Sequence, residues 1–136
     1  MEATTKNRFA PIPVAAETVG KKVLDAAYAV HSALGPGLLE SVYEACLAHK
    51  LRQEKVLTET QVVMPVTFEG IQVETGLRLD ILEGKLVIIE LKSVEKLLPL
   101  YEAQLLTYLK VTGLRLGYLI NFNVVHLKDG IKRMVV

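Results

Sequence analysis

The run Leu86-Val87-Ile88-Ile89, followed directly by Glu90-Leu91-Lys92, limits the fold more than any other stretch of the chain. Consecutive apolar residues make a strand water-avoiding on both faces, the pattern of a central strand covered from two sides. Such a strand needs a layer on each face. The 136 residues are enough to supply both within one domain that buries its own core. Residues two apart in a strand point the same way, so Glu90 and Lys92 share a face. An acid and a base side by side on a strand meant for the interior need a reason.

The rest of the chain reads as the covering layers. Residues 1–15 are polar, contain Pro11 and Pro13, and read as a flexible arm before a single domain over 16–136. Val19, Val23, Ala26, Ala27, Val30 and Leu34 have the spacing of a helix with one buried face, ended by Gly35-Pro36-Gly37. A second helix is expected from Leu38, with Leu39, Val42, Tyr43, Cys46 and Leu47 on its apolar stripe, fading near Glu54. The period then changes to two. Strands are expected over Thr58–Phe68, with Pro65 marking an edge or a bulge, over Ile71–Leu82, bent at Gly76, and over Lys85–Lys92. Pro99 suits the first turn of a helix running to Thr112 and stopped by Gly113. Leu116–Asn121 reads as a strand, and Val124–Leu127 with Ile131–Val135 as a closing hairpin around Lys128-Asp129-Gly130. The order is α-α-β-β-β-α-β-β-β, an α+β fold in which a mixed sheet is flanked by helices.

Composition excludes several classes. A hydrophobic fraction of 51% and a charged fraction of 23% are those of a globular domain, not of a disordered or collagen-like one. No apolar run approaches the roughly 20 residues that span a bilayer, and "MEATTKNRFAPIP" has no secretory h-region, so the expected location is cytoplasmic. One cysteine, Cys46, excludes an internal disulfide and reads as a small buried thiol. His31, His49 and His126 are too scattered for zinc spacing; His31 and His49 read as solvent-facing or second-layer residues. A net charge of +1 is low for a protein that coats DNA.

Asp80 gives Glu90 and Lys92 a possible purpose. A strict two-residue loop at Glu83-Gly84 would pair Asp80 with Val87 and put the two acids on opposite faces, because parity decides the face. A three-residue loop or one bulge restores parity, and Gly84 suits the left-handed position of a bulged hairpin. Convergence is therefore expected only with an odd-length connection. Two carboxylates brought together in an apolar setting need compensation, and hard oxygen ligands without Cys or His favour Mg²⁺ or Mn²⁺. Lys92 beside them would hold the attacking water or offset charge on the phosphate.

These residues carry a resemblance. Asp80 followed by Glu90-Leu91-Lys92 looks like the D…(D/E)xK signature of the PD-(D/E)xK nuclease superfamily, with Leu79 where that signature has proline. "GLLESVY", residues 37–43, is similar to the G-x-x-E-x-x-Y motif that names a small family of the superfamily. "EAQLLTYL" resembles the Q-x-x-x-Y element of RecB-type nucleases. The resemblance implies a metal site of Asp80, Glu90, the backbone carbonyl of Leu91 and Glu40, with Lys92 as catalytic lysine. It also implies that Gln104 and Tyr108, one helical turn apart, face the site. Glu40 also has a plainer reading, at the third position of a helix capped by Gly37 and reaching back to the backbone. Tyr43 reads as core. Arg78 shares Asp80's face and reads as its ion-pair partner.

The function so implied is metal-dependent hydrolysis of phosphodiester bonds, in DNA before RNA, by metal-activated water, with nucleic acid as partner and a homodimer supplying two sites. The alternatives are a binding module on the same fold that does not cleave, and an oligomeric structural protein that buries Leu97-Leu98-Pro99-Leu100.

Overall fold

The computed structural model describes residues 10–136. Residues 1–9 of the expected arm lie outside the described residues. The first helix, α1 (Val14–Leu34), starts directly after its N-cap Pro13, earlier than the apolar spacing from Val19 suggests, because Ala16 is already buried. It is followed by α2 (Glu40–Leu51), β1 (Thr58–Phe68), β2 (Ile71–Glu83), β3 (Val87–Lys92), α3 (Pro99–Thr112), β4 (Leu116–Asn121) and β5 (Ile131–Val135). The five strands form one mixed sheet in the order β1-β2-β3-β4-β5. β3 and β4 run parallel, joined by the α3 crossover, and the other neighbours are antiparallel.

The central strand is covered as its sequence demands. Val87, Ile89 and Leu91 point to α1 and α2, in one core with Val23, Ala27, Tyr43 and Leu47. Ile88 points to α3, in a second core with Leu105, Leu109 and Leu119. Val87–Leu91 are all buried. Among the described residues, no helix is long and apolar enough to cross a membrane.

One expected strand does not form. Val124–Leu127 is irregular and leads into a single 3-10 turn, Leu127–Gly130. β4 and β5 pair directly, Ile120 with Ile131, so these residues serve as the connection between the two strands. Val124 instead packs on the core and gives its carbonyl to His31, whose Nε2 donates to it at 2.8 Å. His31 is therefore buried, not solvent-facing.

Pro65 lies where the β1–β2 register shifts, between Met64 and Val66 on the sheet edge. A Cβ on Gly76 would collide with Val66, so the close strand crossing there requires glycine.

A candidate carboxylate centre at the splayed strand ends

The β2–β3 connection decides which side chains meet. Glu83 pairs with Val87, so the loop holds three residues, Gly84, Lys85 and Leu86. The turn falls on Gly84-Lys85, one residue later than expected, closed by the Leu86 N–H donating to the Glu83 carbonyl at 3.0 Å. Both central residues have positive φ, +60° and +55°, as a type I′ turn requires. The loop is odd, so the register that pairs Ile81 with Ile89 puts Asp80 across from Glu90.

Regular pairing stops at Ile81↔Ile89, and carboxylates continue it. The Asp80 N–H donates to Glu90 Oε2, and the Leu91 N–H donates to Asp80 Oδ2, both at 2.9 Å. One oxygen of each acid thus takes a backbone N–H, leaving the other outside the backbone network. Leu91 places its N–H at the acid pair while its side chain is buried on the α1–α2 side.

The sheet turns over at this point. Leu77 and Leu79 belong to the α3-side core, whereas Ile81 belongs to the α1–α2 core. Residues two apart in an undistorted strand would share a face. Across the ladder, between Thr60↔Ile81 and Val62↔Leu79, Gln61 has φ +52°. This paired distortion lets Asp80 lean into the gap between diverging strands.

α2 brings two more acids. Its N-cap is Leu39 and its first residue is Glu40. Glu40 is therefore not at the third position, and the capping arrangement through Gly37 is not made. The charge still lies at the helix N-terminus, where the dipole favours it. Tyr43 is fully buried, stacks on Phe122 at 4.6 Å between centroids, donates through its hydroxyl to Gly35 O at 2.6 Å and accepts from the Leu38 N–H at 3.1 Å. Ser93, next to Lys92, donates to Leu38 O at 2.6 Å. The loop carrying Glu40 is thus pinned from both sides. Glu44, one turn on, accepts a hydrogen bond from the Gln61 amide at 2.7 Å.

The protonation chemistry follows the crowding. Burial pushes Glu90 up to about 8, with Asp80 and Glu40 adding repulsion while the Asp80 N–H and Lys92 oppose it. Burial also raises Asp80, against the Leu91 N–H, Lys92, Gln61 and Arg78. Glu40 and Glu44 are raised first by desolvation, and both feel Asp80. Tyr108 is raised by desolvation, then by Glu90 and Asp80. Lys92 is the nearby cation, its Nζ 4.5 Å from the centre of the Tyr101 ring.

Asp80, Glu90, Glu40, Lys92 and Tyr108 thus influence one another in one region. Gln104 is exposed one turn before Tyr108 on α3, and its side chain makes no hydrogen bond among the described residues. Sequence reasoning missed Glu44, Gln61 and Tyr101. Glu44 lies four residues after Glu40, on the same helix face, a signal that was there to be read. Gln61 and Tyr101 gave none, because their places depend on a backbone distortion and on the crossover.

Among the described residues no three His, Cys, Asp or Glu side chains are gathered closely enough to cage a metal ion. Mg²⁺ usually keeps several waters and binds through one or two carboxylates plus substrate phosphates. The Asp80–Glu90 pair, with one oxygen of each outside the backbone network, fits that mode.

Compared with known proteins, the sequence model of one family, described as the PD-(D/E)XK nuclease superfamily, matches residues 17–134. No curated protein and no solved structure matches.

Proposed function

The chain belongs to the PD-(D/E)XK nuclease superfamily, and on that premise we propose that it is a divalent-metal-dependent nuclease that hydrolyses phosphodiester bonds in DNA. Within the superfamily, Gly37, Glu40 and Tyr43 support assigning it to the G-x-x-E-x-x-Y family. The observation that carries the reading is the crossed bonding of Asp80 and Glu90 at the end of the β2–β3 ladder. A pair of acids, Glu90 buried and Asp80 half-buried, with raised proton affinities is a costly arrangement for a fold to keep. It becomes useful where a cation completes it.

In this reading Asp80 and Glu90 hold Mg²⁺ or Mn²⁺ with the Leu91 carbonyl, and Glu40 contributes directly or through water. When bound, the ion would offset charge on the scissile phosphate and favour deprotonation of the attacking water. Lys92 supplies a fixed positive charge next to the acids and steadies the developing negative charge. Tyr108 and Gln104 contact the nucleic-acid backbone from α3. A homodimer would supply a second centre for cutting both strands of a duplex, and light scattering after size exclusion tests it.

A second reading, a nucleic-acid-binding module that does not cleave, is favoured by the net charge of +1. One experiment separates the two. Single-stranded, duplex and branched DNA and RNA are incubated with Mg²⁺, Mn²⁺ or chelator, using the native chain and Lys92→Ala. Cleavage lost with chelator and in Lys92→Ala supports the nuclease. Binding without cleavage under every condition selects the module.

A further inference from the structure

The carboxylate centre is a poor place for a polyanion to land. Asp80, Glu90, Glu40 and Glu44 crowd negative charge there, with Lys92 acting on the first three, and a net charge of +1 gives no overall attraction. A strand with one negative charge per nucleotide needs a cationic foothold nearby. The described surface offers one at the carboxyl ends of the parallel strands, where open α/β sheets tend to bind ligands.

A cleft of about 460 Å³ opens between the last turns of α1, the Gly35-Pro36 loop and the irregular segment after β4. Lys128 and His126 stand exposed at its rim, and no acidic side chain lines it. Tyr28, Pro36 and the 78% exposed Val125 form an apolar wall. His31 also lines the cleft, although it is only 8% exposed. Its Nε2 carries the proton given to the Val124 carbonyl at 2.8 Å, since a carbonyl can only accept. The other ring nitrogen, Nδ1, has no partner among the described residues and is the polar atom this buried ring can offer a ligand.

We propose that this cleft is a nucleotide-binding subsite: it takes the phosphate of one unstacked nucleotide at Lys128 and His126 and its base against Tyr28, Pro36 and Val125. A cationic group beside an aromatic wall is the combination that binds single-stranded nucleic acid without reading its sequence. From Pro36 to Glu40 the chain can reach at most about 14 Å, so the Pro36 wall lies only a few nucleotides along a bound strand from Glu40. The pinning of this loop by Tyr43 and Ser93 fixes that spacing. The identification of the nucleotide as part of the cut strand rests on the nuclease reading; the binding itself does not.

The test uses the full chain in chelator, so that no metal recruits phosphate to the acids. NMR titrations with 5′-dAMP, deoxyadenosine and inorganic phosphate follow the His31 ring and the backbone of residues 125–128. The expected result is saturable binding of 5′-dAMP, at least tenfold weaker for deoxyadenosine and for phosphate alone. Lys128→Ala and His126→Ala, both at exposed positions, should each weaken it at least threefold, and Lys92→Ala should leave it unchanged. No binding of 5′-dAMP, binding indifferent to both rim substitutions, binding lost in Lys92→Ala, or phosphate alone binding as tightly would overturn the subsite. Any of these leaves the nuclease reading standing. Binding here by a chain that never cleaves overturns the nuclease reading and keeps the subsite.

Discussion

Asp80 and Glu90 complete each other's strand pairing: the backbone of Asp80 donates to the carboxyl of Glu90, and the carboxyl of Asp80 accepts from the residue after Glu90. This lacing keeps two acids adjacent where burial alone would separate or neutralise them. Its electrostatic cost predicts how the metal-free protein responds to pH. Glu90 is raised from 4.5 to about 8, so between those values the folded state keeps a proton that the unfolded chain releases. Stability is then greatest below the unfolded value and falls as pH rises through the folded one. Thermal melts in chelator from pH 5 to pH 9 should show a decline on the order of a few kcal/mol, and Glu90→Gln should flatten it. Added Mg²⁺ or Mn²⁺ should raise the melting temperature most at the alkaline end, where the acids are ionised. A native profile that rises with pH in chelator would contradict the arrangement.

The position of Lys92 depends on a residue that does no chemistry. Its ammonium lies 4.5 Å from the centre of the Tyr101 ring, an attraction worth about 0.5–1 kcal/mol where partly solvated. Tyr101→Phe keeps the ring face and should cleave at close to the native rate. Tyr101→Leu removes it and should slow cleavage roughly two- to fivefold, with the melting temperature little changed. Equal losses in both variants would point to the hydroxyl and not the ring.

How much of this could be read beforehand depends on the range of each signal. The Leu86–Leu91 run announced a doubly covered strand because its periodicity is local. The facing of Asp80 and Glu90 was legible as a condition, since parity depends only on how many residues the loop holds. Val124–Leu127 has strand composition, but β4 and β5 pair directly and leave it as their connection, with the Val124 carbonyl taken by His31. Gln61 was invisible for a similar reason: nothing in "TETQVV" marks a left-handed residue. Its amide meets Glu44 and acts on Asp80, partners that only the folded chain brings close.

The two acids of α2 should differ in their effect. Glu40 feels both Lys92 and Asp80, whereas Glu44 is held back by its bond to Gln61. Glu40→Gln should lower cleavage at limiting metal by at least tenfold and recover part of it at higher metal concentration. Glu44→Gln should cost only a few fold. Rates against Mg²⁺ concentration measure both, and a larger loss in Glu44→Gln would reverse the assignment of the nearer ligand.

Gln61 tests whether strained backbone is kept for the centre's sake. A side-chain-bearing residue in the left-handed region costs roughly 1–2 kcal/mol, and Gln61 has φ +52° inside a strand. Glycine takes this conformation without that cost, though it adds freedom to the unfolded chain. Gln61→Gly should therefore be about as stable as the native protein, and Gln61→Ala about 1 kcal/mol less stable than the glycine variant. Both lose the amide that holds Glu44 at 2.7 Å and lowers Asp80, so both should cleave about tenfold more slowly. Asparagine, which tolerates the left-handed region but has a shorter amide arm, should keep the fold and recover part of the rate. A stable glycine variant with undiminished cleavage would show that Gln61 only turns the chain. Slow cleavage by a fully stable glycine variant would show that the amide holds the acids in place.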